Sequence, residues 1–505
     1  MGLEHVKRAL GMAWRGFGLF PDSSHPACSE DIVVPIGVFD NNFIIRNQFI
    51  RLVYRFDCVL DAAKLRTTLE ELIALHGWEK LGARLRAVNG QLEYHIPRSF
   101  GQDRPPLRFR LQDLSATTIH DHGIIARACT TDFPSIATGT YETSQFFEDH
   151  ADIGYFITQD VPLFGLEIVR FADATLLCLS WPHLLMDGAG IGLLLRSWAA
   201  QLRVGNKALP RPCKPTDEPL AHLGLHKRTG FWLEERLRST FSFILEFSLL
   251  QNIAGILEGT EPRSVLLPAP FVHSLRGQPQ SVSNSPTSRS EFVSEGDLVS
   301  AWWVKQVTSR CTSRFVQTIV VYQLVALHSR TDSKLRDPNL AYIGNAIGFV
   351  PTLIPRSDLE QHSIVKLALR MRRSLENTVE ASQLNAWAAL FRESSFQLMP
   401  NFGHGVTFSM VISNTSKLKV MDIDFNDAVL HIDKSMAQQP SSSMPSAIYN
   451  FQDFAFPNFF TILAKDQLEN TIITGNLRRK EWDMIVKDWV AGEFNAPSHQ
   501  PMAKL

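Results

Sequence analysis

The segment WPHLLMDGAGIGLLLRSWAAQL, residues 181–202, places one histidine between an apolar strand pattern and a glycine-rich helical pattern. Pro182 should end the strand, because proline cannot donate a ladder hydrogen bond. Asp187 has a side chain suited to capping the helix that follows. The order of strand, turn and helix predicts that the imidazole of His183 lies at a sheet edge and faces a cleft.

His183 is therefore the first candidate for a catalytic group. An unperturbed histidine titrates near pH 6.5, so a small shift of its pKa makes it a general base at neutral pH. A structural histidine at a buried hinge is the alternative that this stretch alone leaves open.

The composition restricts the class of protein. The chain has 505 residues, and at that length two domains are the expectation. Its formal net charge of −1 gives no reason to expect a nucleic-acid or membrane partner. The six cysteines form no CxxC pair, and His183 has no histidine or cysteine at ligand spacing. No disulfide framework and no metal cofactor are expected.

Strand and helix patterns occur in both halves of the chain. FIRLVYRF at 49–56 is typical of a strand, Asp61 is suited to cap the next helix, and Asn89-Gly90 predicts a tight hairpin. In the second half, Ser294 and Asp297 form a capping pattern. The sequence therefore predicts an α/β protein with mixed sheets and two lobes.

The predicted boundary between the lobes follows a shift in composition. Prolines cluster in the polar stretch from Val204, and a second polar run begins at Arg276. We expect an N-terminal lobe over 1–222, a C-terminal lobe over 223–505 and a crossover linker around 204–290. The apolar segment 241–257 is interpreted as a buried helix or a cover over a substrate channel, rather than as a membrane anchor.

Four motifs give the chain a family resemblance. His183-Leu-Leu-Met-Asp187-Gly188 resembles the HxxxDG motif of the plant and fungal acyl-CoA-dependent acyltransferases called BAHD enzymes. The other three follow in the family's order. Ser294–Lys305 is similar to the family's serine-capped helix ending in a basic residue. Tyr342-Ile-Gly344-Asn345-Ala346 is similar to YFGNA, and Asp424-Phe425 is similar to the opening of DFGWG. Asn426, Asp427 and Ala428 replace the rest of DFGWG, a degeneracy similar to that of fungal secondary-metabolite members.

The resemblance implies two chloramphenicol-acetyltransferase-like lobes with the active-site channel between them. It implies transfer of an acyl group, acetyl above all, from acyl-CoA to a hydroxyl of a secondary metabolite. His183 would take the hydroxyl proton and return it to the CoA thiolate, without an acyl-enzyme. Asp187 would hold the turn through an ion pair, and Gly188 would leave room for substrate.

Further roles follow from the same resemblance. Ser413, Asn414 and Thr415 occupy the position that supplies the family's contacts to the oxyanion or to CoA, or they are an ordinary polar strand end. Gly344 and Asn345 form either a tight turn or part of the CoA channel.

Lys305 and Asp424 would form an ion pair that joins two distant segments. An exposed lysine is the alternative for Lys305.

The partners implied are acyl-CoA and a small alcohol, with the protein a monomer. The 33 phenylalanines suit an apolar cleft, and hence a terpenoid or polyketide acceptor.

Two other functions stay open. Condensation domains of peptide synthetases use HHxxxDG on a similar fold, but Pro182 replaces the first histidine here. A non-catalytic binding protein of the same fold is the second alternative.

The chain ends in Ala503-Lys504-Leu505, similar to the peroxisomal address Ser-Lys-Leu. Cytoplasm is the default expectation, with the peroxisome as the alternative.

Overall fold

The computed structural model describes the following parts of the chain: residues 20, 22–23, 25, 28–124, 132–137, 140–147, 153–226, 229–239, 260–277, 292–312, 315–328, 330, 335, 337, 340–394, 398–430, 443–452 and 458–492. The predicted cover segment 241–257 and the C-terminal tripeptide lie outside these residues, as does most of the second half of the predicted linker.

The strands, in chain order, are β1 (Ile32–Pro35), β2 (Phe49–Phe56), β3 (Arg84–Val88), β4 (Gln91–Ile96), β5 (Arg108–Leu114), β6 (Ser135–Ile136), β7 (Gly165–Phe171), β8 (Thr175–Pro182), β9 (Arg211–Pro212), β10 (Thr260–Leu267), β11 (Thr318–Ala326), β12 (Leu340–Ala341), β13 (Ile347–Pro355), β14 (Thr407–Asn414), β15 (Ala447–Gln452), β16 (Phe459–Lys465) and β17 (Thr471–Arg478). The α-helices are α1 (Phe43–Asn47), α2 (Ala62–Ile73), α3 (Thr140–Ser144), α4 (Ile153–Thr158), α5 (Gly188–Val204), α6 (Ala269–Ser274), α7 (Glu295–Cys311), α8 (Arg356–Gln361), α9 (Ile364–Thr378), α10 (Ala381–Glu393) and α11 (Arg479–Val490).

Two large mixed sheets organise these elements, which confirms the predicted α/β class. The first has five strands in the order β15-β2-β8-β7-β5, and the second has seven in the order β13-β11-β14-β16-β17-β10-β6. Both contain parallel neighbours, β5 with β7 in the first and β11 with β14 in the second. A three-stranded sheet β1-β4-β3 and the short pair β12-β9 complete the described strands.

The two large sheets exchange strands. β15 belongs to the second half of the chain but pairs antiparallel with β2 of the first sheet. β6 belongs to the first half but pairs with β10 of the second sheet. Residues on both sides of the predicted boundary at 222 therefore contribute to each sheet, and neither sheet is complete without a strand from the other half.

Each large sheet has its own hydrophobic core. In the first, α2 and α5 pack their apolar faces against the sheet, and Leu69, Leu177 and Trp198 are completely buried. In the second, α7 and α11 bring four buried tryptophans together, at positions 302, 303, 482 and 489. Burial of a large apolar side chain contributes about 1.5–3 kcal/mol, so these contacts fix the helices on their sheets.

The local sequence signals are confirmed. Asp61 accepts a hydrogen bond from the Lys64 backbone at 3.0 Å, as a helix N-cap does. Asn89 and Gly90 both have positive φ, 51° and 73°, which a two-residue hairpin of this type requires. Ser294 and Asp297 form the reciprocal capping box of α7.

Candidate active site

His183 lies at the point where β8 ends. The strand ends at Pro182, residues His183–Leu185 form one turn of 3₁₀ helix, and α5 begins at Gly188. The His183 backbone N–H donates to the Gln48 carbonyl at 2.8 Å, which ties the turn to the start of β2. The side chain is half-buried, with Nδ1 on the enclosed side of the ring, so its exposure belongs to the other side.

The surroundings keep the imidazole of His183 uncharged. Burial lowers the pKa of His183, while its own carbonyl, the Asp187 charge and the Asn345 amide act in the opposite direction. Burial is the largest of these effects. It lowers the pKa because a charged ring loses more hydration on burial than a neutral one. A neutral imidazole is the form that can accept a proton, so the site is suited to general-base catalysis.

Asp187 holds the turn that carries His183. Its Oδ1 accepts the N–H groups of Ala189 and Gly190 at 2.9 and 3.0 Å, which caps α5. Its Oδ2 accepts the N–H of Ala346 at 3.0 Å, next to β13 of the second sheet. The expected ion pair is not formed with any residue that the structure describes. The carboxylate is satisfied by three backbone donors instead, two of them unpaired because they begin a helix.

Gly344 and Asn345 meet the turn directly. The Asp187 N–H donates to the Gly344 carbonyl at 3.2 Å. The Asn345 amide is fully buried, and its Nδ2 donates to the His183 and Leu184 carbonyls at 3.0 and 3.3 Å. The motifs that resemble HxxxDG and YFGNA are therefore in contact, and the contacts of Asn345 are those of a structural turn.

Gly188 is closely covered by the segment that follows β14. A Cβ atom at Gly188 would lie 3.1 Å from Leu418 Cδ1 and 3.1 Å from Thr415 Cγ2. The absent side chain thus admits these two residues of the second half of the chain. At the Cβ position the neighbouring space is therefore filled by Thr415 and Leu418.

The three polar residues near the end of β14 differ in what their side chains can still donate. The Thr415 hydroxyl donates to the Leu463 carbonyl at 2.8 Å, so its proton is already used. Asn414 accepts from the Ser416 N–H and hydroxyl at 3.1 and 2.7 Å, which leaves its Nδ2 beside Gly296 of α7. Ser413 is half-buried, and its hydroxyl has no hydrogen bond to any described residue.

Strand alternation decides the directions of these side chains. Phe408, Met410 and Ile412 point into the core under α7, α9 and α11. Ser413 therefore faces the opposite side of the sheet, on which Val411 packs against a cluster that includes Phe39 and Ile44 of the first half of the chain. Of the three candidates, Ser413 combines that direction with a hydroxyl that is free to donate.

The predicted ion pair between Lys305 and Asp424 is not formed. Lys305 Nζ donates to the His362 carbonyl at 2.6 Å, on the outer helical layer of the second lobe. Asp424 is exposed and accepts from the Ser443 hydroxyl at 2.5 Å. The residue after Asp424 explains why the two charges are apart. Phe425 inserts into the first core, where its ring centroid lies 4.8 Å from that of Trp198. Lys305 lies on α7, which packs in the other core.

Sequence reasoning did not identify the charged pair beneath the site. Asp40 and Lys80 are 5% and 6% exposed, and Lys80 Nζ lies 3.6 Å from Asp40 Oδ2. Asp40 Oδ1 accepts the Asn345 N–H at 2.6 Å and its Nδ2 at 2.8 Å. Tyr94 lies beside Lys80 and donates its hydroxyl to the Leu184 carbonyl at 2.6 Å. One aspartate in a turn between apolar residues was the only sequence signal for this arrangement.

The described part of the chain contains no group of three or more His, Cys, Asp or Glu side chains placed to hold a metal ion. Within the same residues, no helix is both long and apolar enough to cross a bilayer.

The fold and the site define a class of two-lobed acyltransferases, in which a histidine at a strand end is held by an aspartate and by contacts from a second sheet. The chain is 30% identical over 93% of its length to acetyltransferase adrJ of Penicillium roqueforti, 98% of which is covered. It is 29% identical over 91% of its length to O-acetyltransferase PaAT-2 of Phomopsis amygdali, 97% of which is covered.

Among solved structures, TRI101 of F. sporotrichioides, complexed with coenzyme A and T-2, has the same fold, with a TM-score of 0.61 at 13% identity, over 91% of this chain and 98% of that one. No family model matches the chain. The chain belongs to the BAHD-type acyl-CoA-dependent O-acyltransferases of fungal secondary metabolism.

Proposed function

We propose that the protein transfers an acetyl group from acetyl-CoA to a hydroxyl of a small apolar metabolite, with His183 as the general base. The observation that carries the proposal is the state of the His183 imidazole. It is half-exposed, it is kept uncharged by burial, and it stands on a turn bonded to both sheets.

In the proposed reaction, the neutral imidazole of His183 takes the proton from the acceptor hydroxyl while the oxygen attacks the thioester carbonyl. The carbon–sulfur bond then breaks, and the imidazolium returns its proton to the CoA thiolate. A thioester already has a good leaving group, so transfer can be direct, with no acyl-enzyme. A positioned base contributes typically about 10²–10⁴-fold to such a reaction.

The oxyanion that develops on the carbonyl needs a hydrogen-bond donor. The Ser413 hydroxyl supports this role best, because it faces away from the core under α7, α9 and α11 and makes no bond within the described residues. The Asn414 amide is the second candidate, since Oδ1 is held by Ser416 and Nδ2 is left to donate. One such donor is worth about 10²–10³-fold in turnover.

The acceptor is proposed to be a terpenoid or polyketide alcohol, reached through a channel between the lobes. The support is the number of phenylalanines, 33, which suits an apolar cleft. The two relatives described above are both named acetyltransferases. The protein is proposed to act as a monomer. Both substrates would approach His183 from opposite ends of the channel, which lets them be bound at the same time, as direct transfer requires.

The place of the reaction in the cell is proposed from the C-terminal tripeptide Ala503-Lys504-Leu505. Acyl-CoA is present in both cytoplasm and peroxisome, so either location is compatible with the chemistry. A fluorescent reporter that carries the last twelve residues would distinguish them. Punctate signal supports the peroxisome, and diffuse signal leaves the cytoplasm.

The experiment that tests the function is thiol release by the purified protein from acetyl-CoA, with a panel of terpenoid and polyketide alcohols. We expect thiol release that depends on the alcohol, together with a product about 42 Da heavier than the alcohol, as acetylation of a hydroxyl gives. Turnover only with an acylated phosphopantetheine carrier would identify a condensation-type enzyme instead. Binding of the alcohols without any turnover would identify a binding protein.

A further inference from the structure

Two neighbouring arginines of β3 are buried with hydrogen-bond donors that no described residue satisfies. Arg84 is 0% exposed and Arg86 is 3% exposed. Nε and Nη2 of Arg84, and Nε and Nη1 of Arg86, are buried atoms without a hydrogen bond to the described part of the chain. Buried polar groups are normally hydrogen-bonded, and a buried charge is costly without compensation, so these four nitrogens need an acceptor.

The four nitrogens belong to one face of one strand. Side chains alternate along a strand, so Arg84 and Arg86 share a face of β3, while Leu85 and Ala87 belong to the first core on the other face. Residues two positions apart on a strand are separated by about 6.5 Å, which lets two long side chains reach the same point. Arg310 of α7, by contrast, has a single buried nitrogen of this kind.

The other terminal nitrogens of both guanidiniums are already bonded. Nη1 of Arg84 donates to the Gly82 carbonyl at 2.6 Å, and Nη2 of Arg86 donates to Oδ1 of Asp160 at 2.6 Å. A guanidinium is a rigid planar fork, so one bond at its end fixes the directions of its remaining donors. The four nitrogens therefore cannot turn to another partner without breaking these two bonds.

The aspartates of this region are committed to other groups. Both oxygens of Asp31 accept from Arg104, at 2.6 and 2.8 Å. Oδ2 of Asp160 lies 3.4 Å from Nε of Arg104, while its Oδ1 accepts from Arg86. One aspartate is thus shared by two arginines, and the other is fully used by one.

Arg84 in consequence has no carboxylate of its own among the described residues. Glu93 lies across the strands from Arg86, but its carboxylate is 3.3 Å from Nε2 of His95. Burial lowers the pKa of Arg84 to about 10, the charges of Arg104 and Arg86 act in the same direction, and two aspartates oppose them. A guanidinium with this pKa is still charged at neutral pH, so a buried positive charge is left without a counter-charge in contact.

We propose that Arg84 and Arg86 bind a small monovalent inorganic anion, chloride in kind, between their unbonded nitrogens. The enclosure of both side chains sets the size, and one guanidinium without a carboxylate matches one negative charge. A halide accepts from several donors and brings no hydrogens, whereas a water molecule needs acceptors for its own two hydrogens. Asp160 and Arg104 are 31% and 24% exposed, which gives the site a side toward solvent.

The anion would stabilise the small sheet that supports the turn of His183. β3 pairs with β4, where Tyr94 points to the opposite face and donates its hydroxyl to the Leu184 carbonyl at 2.6 Å. Neutralising the buried charges on one face therefore helps to hold the strand that contacts the turn from the other face. The inference concerns the stability of the fold and does not depend on the proposed function.

The test is thermal denaturation of the full-length protein in mixtures of sodium chloride and sodium gluconate at constant ionic strength. Gluconate is too large for an enclosed site, so the denaturation midpoint should rise and then saturate as chloride replaces gluconate. At about ten times its dissociation constant, chloride should lower the equilibrium constant of unfolding about tenfold.

The variant Arg84→Met removes the unbonded donors and keeps a long side chain, and it should lose the dependence on chloride. The matched control is Arg310→Met, because the Arg310 side chain is 5% exposed, pairs with Asp488 and lies in the other core. This control should change the midpoint and keep the response to chloride. If Arg84→Met does not fold, Arg86→Met takes its place.

A crystal soaked in sodium bromide gives a second measurement that needs no variant. We expect an anomalous scattering peak within hydrogen-bond distance of both guanidiniums. The proposal is overturned if bromide is absent from this position, if the midpoint does not respond to chloride, or if the response is unchanged in Arg84→Met. None of these measurements uses a substrate, so failure of the proposed function would appear in the thiol-release assay instead.

Discussion

The Asp187 carboxylate accepts the backbone N–H of Ala346 at 3.0 Å, and this bond joins the turn of His183 to the second sheet. The other oxygen of the same carboxylate caps α5 through Ala189 and Gly190. One buried side chain therefore fixes the end of β8, the start of α5 and the approach to β13. In the reaction that we propose, Asp187 acts by holding His183 in place.

Replacement of Asp187 by alanine should lower stability together with activity. Three backbone N–H donors, two of them in buried hydrogen bonds, would lose their acceptor, and we expect a loss of about 3–4 kcal/mol. Thermal denaturation and soluble yield measure the effect, and Asp187→Asn, which keeps one acceptor oxygen, should be intermediate. An Asp187→Ala protein with a normal denaturation midpoint and no activity would refute the structural role.

The pH dependence of kcat/KM should follow the depressed pKa of His183. Burial disfavours the imidazolium, so the base stays neutral, and activity should persist as the pH falls below about 6.5, the ordinary value for histidine. A fall of kcat/KM on the acid side that is centred above pH 6.5 would contradict the lowered pKa of His183.

The same shift affects folding. Below about pH 6.5 the unfolded chain binds a proton at this histidine that the folded chain does not, so His183 should reduce stability as the pH falls. The denaturation midpoint measured from pH 7.5 to 5.5 checks the sign. In His183→Gln this contribution should disappear, and an unchanged slope in that variant would show that other groups cause it.

Ser413 and Thr415 should differ in their effect on turnover. Ser413→Ala removes a hydroxyl that makes no hydrogen bond to the described residues, and we expect kcat to fall about 10²-fold. Thr415→Val removes a hydroxyl already bonded to Leu463, so the loss should be mainly one of stability. Steady-state kinetics with acetyl-CoA compare the two. A larger fall of kcat in Thr415→Val would exchange their roles.

Gly188→Ala should cause overpacking between the two halves of the chain. The new methyl group would lie 3.1 Å from both Thr415 and Leu418, and such contacts cost about 1–3 kcal/mol. Leu418→Ala in the same chain should recover part of the loss, which thermal denaturation of the single and double variants would measure. Additive losses would show that Leu418 does not oppose the methyl group.

Features set by neighbouring residues could be predicted from the sequence. The caps at Asp61 and Ser294, the hairpin at Asn89 and the end of β8 at Pro182 each depend on residues within one turn of the chain. The arrangement of Asp187 behind His183 is of the same kind, because the capped helix starts five residues after the histidine. Local backbone preference and capping are sufficient to decide all of these.

Features set by distant residues could not be predicted. Asp40 and Asn345 are 305 positions apart, and nothing near either residue indicates the bond between them. The exchange of β6 and β15 between the sheets is equally non-local. The ion pair expected between Lys305 and Asp424 is not formed for the same reason, since the insertion of Phe425 into the first core decides where Asp424 lies.

The central claim is that His183 is the general base, and thiol release from acetyl-CoA by His183→Ala tests it most directly. The matched control is His76→Ala, because the His76 side chain is 80% exposed and, among the described residues, pairs only with Glu79. With an alcohol that the wild type acetylates, the account predicts that kcat falls about 10²–10⁴-fold in His183→Ala, with CoA affinity and denaturation midpoint retained and His76→Ala unaffected. A loss of less than about tenfold in a folded His183→Ala protein would contradict it.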